Sequence, residues 1–240
     1  RVVCFNKTKI VQQVGDCMKA IEENTVKAAG QTNGFARISW IGDKGKRVLI
    51  FGNSITRHPP APDFGWLLDC GMAASCAEKD YVHLLYNRFR TSGEVCFCIF
   101  QASDFECTLS EREIMPELAE AEKFGADLII GRLGENVPSG KFHPGEWTNA
   151  YGSLLEKCAH SGTEIVLSSC FWKNKQTDEE IRRLGKLKGW RVAELGDLGE
   201  MDSMKAKGKF SHSGVAVHPG DEGMRMIAER IFEMTEVDKR

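Results

Sequence analysis

Apolar residues in this chain gather into short runs separated by stretches with helical periodicity. Val48, Leu49, Ile50 and Phe51 form the first clear run, and Gly52, Asn53 and Ser54 break it. Further runs predict strands over residues 94–100, 126–130 and 163–168, with a shorter one over 191–195. Short, nearly unbroken apolar runs bounded by turn residues are the pattern of strands covered on both faces. Between them the spacing changes. Tyr81, Val82, Leu84, Leu85 and Phe89 share one helical face, predicting a helix over 77–90 with Ser75 as cap and Glu78 as capping-box partner. Ser110 and Glu113 form a second capping box for a helix that runs to Lys123 and stops at Gly125. Helices are also predicted over 146–160, over 177–188 with Thr177 as cap, and over 221–233, where Met224, Ile227 and Ile231 line one side.

This alternation of strand and helix, with short connections, predicts an α/β protein. The expected architecture is a three-layer α/β/α sandwich around a five-stranded, mostly parallel sheet. The first 46 residues are less regular. A weak helical pattern runs through Val14, Met18, Ile21, Thr25 and Ala28 to a stop at Gly30, and Phe35–Ile41 alternates like an edge strand. Residues 1–46 are expected to be an N-terminal extension packed on a main domain of residues 47–240.

Composition narrows the function. In 240 residues the hydrophobic content is 42% and the charged content 28%, enough apolar surface for a sizeable core. A net charge of −2 without a long basic run gives no electrostatic footprint for nucleic acid. No apolar stretch is long enough to span a bilayer. Nine cysteines, an odd number without framework spacing, predict free thiols in a reducing compartment, so a cytoplasmic location is expected, with an upstream export segment left open. No His-Glu-x-x-His or Cys-x-x-Cys pattern is present, nor a phosphate loop, so neither metal nor cofactor is expected.

Three loops carry the candidate chemistry: Gly52–Asn53–Ser54 after the first strand of the main domain, Gly134–Glu135–Asn136 after the third, and His218–Pro219–Gly220–Asp221 before the last helix. In an open α/β sheet, loops at the C-terminal strand edge converge. A Ser, a His and an Asn brought together supply a nucleophile, a general base and an oxyanion donor. A serine needs such a base, because its hydroxyl is a weak nucleophile unaided. Thr56 occupies the place of the second glycine of a Gly-x-Ser-x-Gly elbow, which argues against the other large serine-esterase fold.

In order and spacing these motifs resemble those of the SGNH (GDSL-type) hydrolases: Gly52-Asn53-Ser54-Ile55-Thr56, Gly134-Glu135-Asn136, and His218-Pro219-Gly220-Asp221-Glu222-Gly223-Met224 leading into a helix. Gly71–Ser75 followed by Asp80-Tyr81-Val82-His83 resembles the subset linked to carbohydrate esterases. The resemblance implies a flavodoxin-like fold and hydrolysis of small acyl esters, first of all acetyl on carbohydrate. Ser54 would be the nucleophile and His218 the base, with the Ser54 N–H and Asn136 Nδ2 forming the oxyanion hole. A lipid or thioester hydrolase, an acyltransferase and a catalytically weak glycan-binding member are the alternatives.

Two departures from the family pattern stand out. Asn53 replaces an Asp, and Val215 stands where an Asp normally orients the histidine. A Ser–His dyad is therefore expected, with the imidazole held by a backbone carbonyl near Val215 or by Glu106, Glu135 or Asp221. The family's second oxyanion glycine is also missing from Gln101–Phe105, which leaves Ala102 or a neighbour as donor. Asn53, Glu135, His58 and Glu106 are the expected supporting or pocket residues. His212 is the rival base, His143 and Trp147 are either sugar contacts or packing residues, and His83 is expected to be packed.

Overall fold

A computed structural model describes residues 36–235 except Pro144; the helix expected over Val14–Ala29 lies outside the described residues. Among the described residues six strands form one sheet: β1 (Ile38–Ile41), β2 (Lys46–Gly52), β3 (Val95–Gln101), β4 (Leu128–Gly131), β5 (Glu164–Ser168) and β6 (Arg191–Ala193). Their spatial order is β1-β3-β2-β4-β5-β6. The five expected strands are β2 to β6, all parallel. The sixth, β1, falls within the edge strand expected over Phe35–Ile41 and corrects only the expected strand count; it pairs antiparallel with β3, in a compact unit that begins at Arg37.

Period-two alternation divides the core into two layers. Leu49, Phe51, Cys98, Phe100, Ile129, Ile165 and Leu167 point to one face. There they meet α2 (Ser103–Thr108), α3 (Glu117–Phe124), α4 (Glu146–Lys157) and α5 (Lys175–Lys188). Val48, Ile50, Phe97, Ile99, Leu128, Ile130 and Val166 point to the other. They pack against α1 (Tyr81–Arg90) and α7 (Asp221–Glu233); a one-turn helix, α6 (Ser213–Ala216), precedes α7. Because both faces are covered, the strands read as continuous apolar runs.

Helix starts differ from expectation where a better cap or a proline intervenes. α1 begins at Tyr81, capped by Asp80, whose carboxylate accepts the His83 N–H at 2.8 Å; Ser75 instead bonds Asp221. The helix expected from Ser110 is interrupted at Pro116, which lacks an N–H to continue the ladder. Residues Glu111–Ile114 make one 3₁₀ turn, and α3 starts at Glu117 and ends at a left-handed Gly125. Asn174, not Thr177, caps α5 by accepting the Thr177 N–H at 3.3 Å. The short helix α2 had no counterpart in the apolar pattern.

The chain leaves β2 to build β3 on one side and later returns to build β4 on the other. The connections after β2 and β4 therefore diverge, opening a crevice at the C-terminal strand edge between them. Ser54 and Asn136 lie on the two sides of that switch point.

Candidate active site

The turn that carries Ser54 is fixed by its neighbours. The N–H groups of Thr56 and Arg57 both donate to the Asn53 carbonyl, at 2.9 and 3.0 Å, and Met72 N–H donates to the Ser54 carbonyl at 2.9 Å. Thr56 folds back so closely that a Cβ at residue 52 would lie 1.8 Å from its Oγ1, so only glycine fits there. The Thr56 hydroxyl is in turn bonded to Tyr81 OH at 2.7 Å, tying the turn to α1.

Ser54 Oγ lies 3.0 Å from His218 Nε2, and His218 Nδ1 lies 2.7 Å from the Gly214 carbonyl. A carbonyl only accepts, so Nδ1 carries the hydrogen and the neutral ring presents a lone pair at Nε2 to the serine hydroxyl. Burial pushes the His218 pKa down to about 4, against the raising effect of the Gly214 bond, which keeps the ring neutral at pH 7. Trp172 meets this imidazole edge to face, with centroids 4.7 Å apart, and is itself anchored by its indole N–H to Val217 O at 3.0 Å.

Of the carboxylates expected to orient His218, none does. Asp221 is taken by Ser75 and Lys79 at the start of α7. Glu106 and Glu135 flank Asn53 in the Ser54 turn; Asn53 Nδ2 donates to Glu135 Oε2 at 2.7 Å and to Glu106 Oε1 at 3.1 Å. Asn53 Oδ1 accepts from Ile55 N–H at 3.2 Å and from Arg132 Nη1 at 3.1 Å, so all four bonding positions of this amide are filled. Arg132 closes the cluster by donating to Glu135 Oε1 at 2.6 Å. Its guanidinium is fully buried; burial lowers its pKa, but Glu135, Tyr81, Cys170 and Glu106 together outweigh that and hold it above its ordinary value. Asn136 Nδ2 donates to Glu106 Oε2 at 2.6 Å, which leaves its second amide hydrogen for another acceptor.

The remaining candidates separate cleanly. Ala102 N–H donates to the Gly52 carbonyl at 2.7 Å and Ser103 N–H to the Gln101 side chain at 3.2 Å, so the expected replacement for the second oxyanion glycine is already engaged. His58 is bonded through Nδ1 to the Pro59 carbonyl at 2.6 Å, and burial pushes its pKa down. His212 caps α6 and its ring packs on Phe64, with centroids 4.9 Å apart. Trp147 is buried against Phe105 and Tyr151, as a packing residue would be, while His143 is exposed. His83 is bonded to Asp80 at 2.9 Å.

Three participants carried no motif. Gly214 contributes only a backbone carbonyl, which no side-chain pattern announces. Trp172 reaches His218 from the loop after β5. Arg132 did leave a trace: it directly follows the wholly apolar run Leu128–Gly131 and lies three residues before Glu135.

A mostly parallel α/β/α sandwich with a serine–histidine pair at its switch point defines the class. No family model matches this chain, and no curated protein does. Among solved structures, a two-domain esterase active on acetylated mannans superposes with a TM-score of 0.53 at 14% identity, covering 81% of this chain and 48% of that one. A Bacteroides ovatus protein described as GDSL-like lipase gives 0.52 at 14% identity, covering 82% and 100%. TesA gives 0.53 at 17% identity, covering 79% and 97%. This chain thus spans about half the length of the mannan esterase and nearly all of the other two. Its fold is that of the SGNH (GDSL-type) hydrolases.

Proposed function

We propose that this protein is a serine esterase that hydrolyses small acyl esters, acetyl first, on carbohydrate. The observation that carries the reading is the 3.0 Å contact between Ser54 Oγ and a His218 ring whose tautomer is set by Gly214. In this reading Ser54 attacks the ester carbonyl while Nε2 takes its proton. The imidazolium then protonates the leaving alcohol, and water activated by the same ring releases the acid. The Ser54 N–H and the second Asn136 amide hydrogen stabilise the oxyanion. A backbone carbonyl does for the tautomer what the family's Asp does, but it adds less stabilisation to the imidazolium because it carries no full charge. The mannan esterase among the structural neighbours, also crystallised with mannopentaose, supports carbohydrate as the alcohol half.

The test is hydrolysis of p-nitrophenyl acetate and octanoate by the wild type, Ser54→Ala and His218→Ala. Activity that favours acetate and falls at least a thousandfold in both variants is expected (~10³ or more). Equal rates for the three folded proteins refute it. One observation favours a second reading, a glycan-binding member with little turnover: among the described residues no carboxylate is bonded to His218 Nδ1, which meets the Gly214 carbonyl. Fluorophosphonate labelling of Ser54 separates the two, because only an activated serine reacts.

A further inference from the structure

The buried cluster under the nucleophile turn has no place in the steps above. We infer that Glu106 is a positioning residue for the oxyanion hole, holding the Asn136 amide so that an N–H, and not the amide oxygen, faces the ester. The inference rests on the ester-hydrolase reading.

Glu106 is fully buried on α2, and each carboxylate oxygen is engaged. Oε2 accepts from Asn136 Nδ2 at 2.6 Å. Oε1 accepts from Asn53 Nδ2 at 3.1 Å and, in a very short bond, from the Gly134 N–H. Gly134 has a positive φ (+147°), and a Cβ there would lie 2.8 Å from Cys170 Sγ, so the turn that presents its N–H is closely packed and requires glycine. An ionised carboxylate only accepts. Asn136 must therefore turn Nδ2 toward it, and the planar amide then fixes the direction of the second hydrogen. A neutral partner would not impose this. Glutamine at 106 presents one oxygen and one NH₂. The closely packed Gly134 N–H and the fully bonded Asn53 claim the oxygen, so the NH₂ faces Asn136 and turns its amide over. Asn53 fits the same logic: as an amide it donates to both Glu106 and Glu135, where the family's Asp would present only acceptors.

The experiment is a double-mutant cycle on p-nitrophenyl acetate with Glu106→Gln, Asn136→Ala and the pair. Each single change is expected to lower kcat by about 10²–10³ with KM within about threefold, the size of one lost oxyanion donor. The pair is expected to be no slower than Asn136→Ala alone, because both changes remove the same donor. Losses that multiply in the pair, or an undiminished Glu106→Gln, overturn the inference while wild-type turnover leaves the esterase reading standing. A wild type that neither turns over nor takes a fluorophosphonate at Ser54 overturns both. If Glu106→Gln does not fold, the side-chain amide protons of Asn136 in the wild type decide by NMR. One of them is expected to move downfield as Glu106 ionises, and an amide that ignores pH overturns the inference. The other groups in the field of Glu106 are Glu135 and Arg132 on the loop after β4, Tyr151 on α4 and Cys170 after β5.

Discussion

Restoring the family's acid in the first motif, Asn53→Asp, is expected to destabilise this protein in a pH-dependent way. The substitution is nearly isosteric but replaces an NH₂ with an oxygen 2.7 Å from Glu135 Oε2 and 3.1 Å from Glu106 Oε1. At an effective dielectric of about 20, two unit charges about 3 Å apart repel by about 5–6 kcal/mol. The fold avoids the full penalty by binding one more proton than the unfolded chain. Keeping a carboxyl of unfolded pKa about 3.9 neutral costs about 1.4 kcal/mol per pH unit, hence about 4 kcal/mol at pH 7 and about 1.5 at pH 5. The sign follows from the linkage: the variant's acid titrates higher in the folded state, so its stability falls as pH rises above about 4. Urea unfolding of both proteins at pH 5, 6, 7 and 8 reads the difference. A deficit of about 3–4 kcal/mol at pH 7 that shrinks to about 1–2 at pH 5 is expected. A variant as stable as the wild type at pH 8, or a deficit independent of pH, would refute the charge argument.

Further outcomes follow from the same cluster and its supports. Arg132→Met leaves Glu135 buried without its cation, and a loss of about 3–5 kcal/mol in urea unfolding is expected; an unchanged midpoint contradicts the pairing. Asp80→Ala removes the α1 cap and strands the Gly71 N–H, which Asp80 accepts at 3.0 Å, so thermal and urea unfolding should register a loss of about 2–3 kcal/mol. The acid limb of kcat/KM reports which group must change charge. Burial and then Glu135 push Glu106 up to about 7, while His218 lies at about 4 and is neutral well below neutrality. Glu106 acts ionised, so activity should rise through pH 7 in the wild type, and Glu106→Gln should move that limb down toward the His218 value. A wild-type limb unmoved by Glu106→Gln assigns it to another group.

The layered fold was legible in the chain because parallel strands covered on both faces leave no room for polar residues. Val48–Phe51 and Leu128–Ile130 announce themselves by composition, and α7 by the spacing of Met224, Ile227 and Ile231. Local chemistry placed the three motif loops as well, since Gly52, Gly134 and the His218-Pro219-Gly220 run are turn sequences. Helix starts were less legible. Ser75 and Asp80 are both good caps, and packing chose between them by giving Ser75 to Asp221 on α7. β1 was legible as an edge strand from the alternation over Phe35–Ile41, but its antiparallel pairing with β3, Ile38 opposite Phe100, was not.

A mostly parallel α/β sheet and the three loops that carry Ser54, Asn136 and His218 follow from residue type and spacing, because buried strands and tight turns are written there. How those residues are supported depends on packing between distant segments. The Gly214 carbonyl at His218 Nδ1 has no side chain to read. The meeting of Asn53, Glu106, Arg132 and Glu135 joins residues up to 82 positions apart, and burial alone makes their charges and hydrogen bonds decisive. A missing Asp at residue 53 reads as a defect along the chain; beside two buried carboxylates it is the residue that fits.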